Sequence, residues 1–227
     1  MILYILAGLC VVISFFTAWL RNAKRERARL IAKLVASLLF CLTAFLAAVQ
    51  RTEPLNAPTV LMLAALVLGL IGDVVLGLDK FMPKEHKGYL LLVGGAPFFF
   101  GHIVYIALLL TYRPFNLWLL LLMPLLPVLF LVIHKTINLG KLLLPLLLYA
   151  LVLGTMMMAT LNLALQGGPL GQLMLLPGVL FAVSDSSLIL NAFGKDKVAR
   201  IAPVLSYTVS IPYFGAQALF ALSVTYL

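Results

Sequence analysis

The chain has 227 residues, of which 64% are hydrophobic and only 10% charged. A soluble domain is roughly half apolar and about a quarter charged, so this composition excludes a soluble enzyme, a disordered chain, a disulfide scaffold and a coiled coil. What remains is an all-α polytopic membrane protein, because long apolar runs alternate with short basic loops, whereas a β-barrel would show short alternating segments.

A helix crosses about 30 Å of hydrocarbon with roughly 20 apolar residues. By that measure eight transmembrane helices are predicted, at about 2–20, 33–49, 58–78, 89–111, 116–133, 142–165, 171–192 and 201–224. The linkers leave no room for a soluble domain, so residues 1–227 read as one integral membrane domain. The first span has no charge before it and a dense basic run after it, the reverse of a secretory signal, and is expected to be retained.

The net charge of +9 follows membrane topology rather than nucleic acid. Loops after spans 1, 3, 5 and 7, with the adjoining helix ends, hold 14 of the 16 basic residues. These are Arg21, Lys24, Arg25, Arg27, Arg29, Lys33, Lys80, Lys84, Lys87, Lys135, Lys141, Lys195, Lys197 and Arg200, while only Arg51 and Arg113 lie in the opposite loops. The positive-inside rule places those basic loops in the cytoplasm and both termini outside, as expected of a bacterial inner-membrane protein. The run from Arg21 to Arg29 is read as a topology determinant only, with contact to the headgroups of anionic membrane lipids as the lesser alternative. Cys10 and Cys41 sit inside apolar spans and are read as packing residues.

Span 3 ends in Gly72-Asp73-Val74-Val75-Leu76-Gly77-Leu78-Asp79-Lys80-Phe81, and span 7 in Ser184-Asp185-Ser186-Ser187-Leu188-Ile189-Leu190-Asn191-Ala192-Phe193. Both fit small-Asp-x-x-Leu-x-Leu-(Asp/Asn)-x-Phe, and Phe99-Phe100-Gly101 in span 4 echoes Tyr213-Phe214-Gly215 in span 8. A parallel 4+4 duplication, with half-repeats 1–112 and 116–227, would place Asp73 and Asp185 at equivalent depths.

Asp73 and Asp185 are the acidic residues well inside spans, since Glu26, Glu53, Asp79, Glu85 and Asp196 fall in loops or at span ends. An Asp in mid-membrane costs about 2.5–3.5 kcal/mol on insertion scales, and two at matching positions point to a functional site. At a rise of about 1.5 Å per residue, Asp73 lies roughly 10 Å from Lys80 and Asp185 roughly 15 Å from Lys195, both in the half of the bilayer on the basic side. Gly69 and Gly77 flank Asp73 on one helix face and allow close approach of another helix or a ligand. Ser184, Ser187 and Asn191 form a polar stripe beside Asp185. His102 and Tyr105, three residues apart in span 4, are candidate partners of the two acids, although His102 counts nearer the outer half unless Gly94, Gly95 and Pro97 break or kink the helix. Pro203 and Pro212 are expected to bend span 8, Met156-Met157-Met158 reads as core packing, and His86 and His134 read as interfacial. Tyr149, Asn162, Ser206, Tyr207, Tyr213 and Gln217 are taken singly as structural.

The combination Gly72-Asp73-x-x-Leu76, Phe100-x-His102-x-x-Tyr105 and Ser184-Asp185-x-x-Leu188-x-x-Asn191-x-Phe193 resembles the YhhN-like family of eight-span membrane proteins, which includes the lysoplasmalogenases. The resemblance runs from Lys33 to Gln217, with Lys33-Leu34-Val35 standing where the family pattern has Lys-Pro-Leu. It implies hydrolysis of the vinyl-ether bond of a lysophospholipid substrate, a lysoplasmalogen, to a fatty aldehyde and a glycerophospho-ethanolamine or -choline. No cofactor, metal or nucleic acid is expected.

The chemistry fits the residues. A vinyl ether opens by protonation at carbon, and water captures the resulting oxocarbenium ion. One carboxylic acid and one carboxylate suffice, as in glycosidases. Asp73 and Asp185 are the expected catalytic pair, with His102, Tyr105, Ser184, Asn191, Gln217 and Lys33 binding substrate or supporting the pair. A transporter using the same acids as an ion or substrate site is the main alternative. An intramembrane aspartyl protease and a purely structural role are the others.

Overall fold

The structure, a computed structural model, describes residues 1–78, 81, 87–114, 116, 121, 123–133, 139–194 and 200–227. Its helices are α1 (Ile2–Asn22), α2 (Glu26–Val49), α3 (Ala57–Gly77), α4 (Lys87–Tyr112), α5 (Leu125–Ile133), α6 (Leu143–Ala164), α7 (Gly168–Met174), α8 (Pro177–Phe193) and α9 (Ala202–Ser223). Counting α7 and α8 as one crossing, seven stretches among the described residues are long and apolar enough to span a bilayer. The chain is therefore an all-helical, polytopic integral membrane protein. Of the expected fifth span, 116–133, the helical part among the described residues is α5; residues 115, 117–120 and 122 lie outside them. So do the expected loop groups Asp79, Lys80, Lys84, Glu85, His86, His134, Lys135, Lys195, Asp196 and Lys197.

Two expected boundaries are corrected. The second helix starts at Glu26 rather than residue 33, extending into the basic run. Glu26 sits in its first turn, favourable for the helix dipole, and pairs with Arg29 at 2.6 Å. The seventh span, expected as one helix over 171–192, is two: α7 ends at Met174 and α8 restarts at Pro177. Proline lacks an amide hydrogen and has a preset φ, so it starts a helix more readily than it continues one. Before α7, Gly167 and Gly168 both take φ of +75°, a reversal that side-chain-bearing residues resist. Elsewhere local chemistry follows the sequence. Asn56 caps α3 by accepting from the Thr59 amide at 2.9 Å, and α4 and α9 run unbroken through Pro97 and Pro212.

Packing closes a ring. α2 contacts α3, α3 contacts α4, α4 contacts α6, α6 contacts α8, α8 contacts α9, and α9 returns to α2. α1 lies against α2 and α9, and α5 against α6. The large apolar side chains left on the outside, such as Val12, Phe15, Trp19 and Phe45, suit a lipid environment. Cys10 is fully buried and Met156 and Met158 are buried in the bundle, as their packing role requires.

Small residues set how closely the ring can pack. A Cβ on Gly178 would collide with the Thr160 hydroxyl and come within 2.7 Å of the Met157 Cα, a backbone atom with nowhere to move. A Cβ on Gly8 would meet nothing within 4 Å. Gly178→Ala is therefore expected to destabilise the protein by about 1–3 kcal/mol through overpacking. Gly8→Ala should be neutral or slightly stabilising, since glycine is a poor helix former. Thermal unfolding of the two variants in one detergent checks the contrast.

Candidate active site

A cavity of about 350 Å³ opens among these helices and is lined by both Asp73 and Asp185. Arg21, Arg29 and Lys33 also line it, and apolar wall is supplied by Leu76, Leu91, Phe98 and Leu188. Both acids of the two similar motifs thus face one cavity.

Asp73, on α3, is 1% exposed. Its carboxylate accepts from the Ser37 hydroxyl at 2.5 Å and the Tyr213 phenol at 2.7 Å, both at Oδ2. The Lys33 ammonium lies 3.0 Å from Oδ1. Lys33 and Ser37 are one turn apart on α2 and so present both groups to the same neighbour. Tyr213 is itself held by Gln217, whose Nε2 donates to the phenol oxygen at 3.2 Å, and the Tyr105 hydroxyl donates to Gln217 Oε1 at 2.7 Å. An ordered chain thus runs from Tyr105 through Gln217 and Tyr213 to Asp73. Gly69 makes room for it: a Cβ there would strike the Gln217 amide. Gly72 makes similar room for the Phe98 ring.

Asp185, on α8, has different company. The Tyr149 phenol of α6 donates to its Oδ2 at 2.7 Å. His102 Nε2 lies 3.1 Å from the Tyr149 oxygen and 3.5 Å from Asp185 Oδ2. The span count that set His102 too far out is overcome without a break in α4, which runs unbroken and brings the imidazole to Asp185. His102 Nδ1 is buried with no hydrogen-bond partner, as is the side-chain amide nitrogen of Asn191, which lines the cavity. Ser184 also lines it and donates to the Val209 carbonyl at 2.8 Å, fastening α8 to α9. Tyr105 reaches Asp73 only through the relay, and it is stacked on Phe220 with centroids 4.1 Å apart.

Of three further partners of the acids, Tyr149 and Tyr213 were read from sequence as structural, and Ser37 was not singled out. Ser37 shares a helix face with Lys33, which was a usable signal. Tyr149 precedes Asp185 by 36 residues, as Ser37 precedes Asp73 by 36. Tyr213 lies 140 residues from Asp73, and only the folded ring joins them. Among the described residues, no three His, Cys, Asp or Glu side chains cluster as a metal site would require.

A ring of membrane helices enclosing a carboxylate-lined, partly apolar cavity defines a membrane protein with a buried polar site. The chain belongs to the YhhN family, whose model matches residues 28–224. No curated protein and no solved structure matches it.

The pair Lys33–Asp73 is nearly enclosed, with the lysine side chain 16% exposed and the aspartate 1%. Removing one partner of such a pair strands the other and typically costs about 3–5 kcal/mol, whereas removing both is much milder. Lys33→Met should therefore lower stability by about 3 kcal/mol, and Lys33→Met combined with Asp73→Asn should recover most of it. A double-mutant cycle of thermal stability in detergent reads the coupling.

Proposed function

We propose that the protein is a membrane-embedded ether hydrolase that cleaves the vinyl-ether bond of a lysoplasmalogen, with Asp73 and Asp185 as its acid pair. The observation that carries this reading is the single cavity lined by both carboxylates, together with apolar wall and basic side chains. Membership of the YhhN family supports the hydrolase class.

The reaction needs a proton delivered to the outer vinyl carbon. The π electrons form the new C–H bond and a lone pair of the ether oxygen moves toward the adjacent carbon, leaving an oxocarbenium ion that a carboxylate stabilises. Water adds to the carbon that bears the oxygen and gives up a proton to a carboxylate. The hemiacetal collapses as its hydroxyl proton passes to the glycerol oxygen and that C–O bond breaks, releasing a fatty aldehyde and the glycerophospho-headgroup alcohol. Two carboxyl groups in unlike surroundings divide such work naturally.

The surroundings favour one division of roles. Asp73, with an ammonium and two hydroxyl donors around it, is the carboxylate that stabilises the cation. Asp185, next to Tyr149 and His102, is the proton donor, and the phenol and imidazole are the route by which it is reprotonated. Tyr105 and Gln217 act through Tyr213 to position Asp73. Ser184, Asn191 and Lys33 shape the cavity around the substrate.

In the membrane, the basic loops would face the cytoplasm of a bacterial cell with both termini outside, following the charge bias. The two halves would be a duplication, which the repeated 36-residue spacing supports, as does their packing order: α2 on α3 and α3 on α4, against α6 on α8 and α8 on α9.

The test is aldehyde release from lysoplasmenyl-ethanolamine by the detergent-purified protein. Asp73→Asn and Asp185→Asn should each reduce turnover by at least about 100-fold, the scale of a lost acid or base, with unfolding still cooperative. Near-normal turnover in both variants overturns the acid pair. Absence of any substrate consumption by folded wild type overturns the hydrolase and favours a transporter using the same acids.

A further inference from the structure

Arg21 and Arg29 belong to the basic run that the charge bias assigns to topology, yet they differ from their neighbours. Lys24, Arg25 and Arg27 are exposed, whereas Arg21 and Arg29 turn into the wall of the cavity beside Lys33. Arg29 is 9% exposed. Orienting a membrane protein requires positive charge near the bilayer surface, and exposed lysine and arginine supply it. It does not require a guanidinium to be withdrawn from water into a cavity, where desolvation works against the charge. Glu26 meets one side of Arg29 through Nε at 2.6 Å.

The same cavity is lined by Asn191, whose buried amide nitrogen has no hydrogen-bond partner. Two guanidinium groups and an unsatisfied amide donor therefore line the same cavity as the carboxylates. We propose that Arg21 and Arg29 form a subsite for the phosphodiester of a single-chain phospholipid, with Asn191 donating to the polar glycerol part of the same molecule. This deepens, and rests on, the lysoplasmalogen reading above.

The spacing suits the substrate. Arg29, Lys33 and Ser37 lie on successive turns of α2, each about 6 Å along the axis, and both Lys33 and Ser37 touch Asp73. A phosphate met by the arginines would thus sit one to two turns from the carboxylate, and in a lysoplasmalogen it lies a few bonds from the ether oxygen. Arginine is the suitable residue, because its planar fork matches two phosphate oxygens at once. The amine of the headgroup would extend past the arginines toward water, so this subsite selects the phosphate rather than ethanolamine over choline.

The experiment compares two vinyl ethers, lysoplasmenyl-ethanolamine and the phosphate-free 1-alkenylglycerol, on wild type, Arg21→Gln and Arg29→Gln. The ratio of kcat/KM for the phospholipid to that for the alkenylglycerol should fall about tenfold in each variant, as expected for one lost charged hydrogen bond. Arg29→Lys, which keeps the charge bias that sets topology, should show a smaller fall and serves if the glutamine variant does not fold. An unchanged ratio overturns the subsite even when overall activity drops.

A binding arm separates this failure from failure of the hydrolase reading. Should wild type release no aldehyde, acyl-lysophosphatidylethanolamine should still raise the Tm of wild type more than that of the arginine variants. Monoacylglycerol should raise them equally. Equal shifts with the phospholipid overturn the proposal. So does an arginine-dependent shift reproduced in full by inorganic phosphate alone, which would make this a site for a free anion.

Discussion

Burial of the Asp73 carboxylate is the constraint on which the rest of the structure depends. An ionised side chain cut off from water costs several kcal/mol unless donors replace the solvent it has lost. Three donors do so here, and they come from two helices other than its own: Lys33 and Ser37 from α2, and Tyr213 from α9. The contacts that make the acid tolerable also hold α2, α3 and α9 together where the ring closes. The hydrophobic effect drives little association between helices in lipid, because the lipid tails are as apolar as the side chains. Polar contacts of this kind therefore do much to fix which helices meet.

The two acids line one cavity, yet their surroundings diverge. The position 36 residues before the acid is a serine in one half and a tyrosine in the other. Lys33 attends Asp73, and His102 attends Asp185. Both acids line one cavity, but one is given a cation and the other an imidazole. Acid–base chemistry needs that difference, because two identical carboxyl groups give no fixed assignment of donor and acceptor.

Most of this architecture was legible in the sequence for definite reasons. Hydrocarbon thickness fixes span length, and an intramembrane aspartate is too costly to be incidental, so the spans and the two acids stood out. Lys33 remained a candidate despite departing from the family pattern at the next residues, and the ion pair with Asp73 accords with that. The partners Ser37, Tyr149 and Tyr213 were not legible, because hydroxyl groups in membrane helices are common and carry little insertion cost. Their roles depend on which helices become neighbours, a property of the closed ring rather than of any local pattern. The early start of α2 was obscured because the basic run looks like a loop to a hydropathy count, although Glu26 and Arg29 form a helical pair within it. The break between α7 and α8 was obscured in the opposite sense, because Leu175 and Leu176 continue the apolar run while Pro177 restarts the helix.

The cavity itself has the polarity of an amphiphile. Guanidinium groups and carboxylates line it together with apolar side chains. A soluble substrate would gain little from that apolar lining, and a two-chain lipid would strain a volume near 350 Å³. A single-chain lipid would place charge against the arginines and the bond next to its glycerol beside the carboxylates, with the chain running on into apolar surroundings. The features that let this chain live in a bilayer, a basic rim and an apolar exterior, then continue inward as the features that would orient a substrate drawn from that same bilayer.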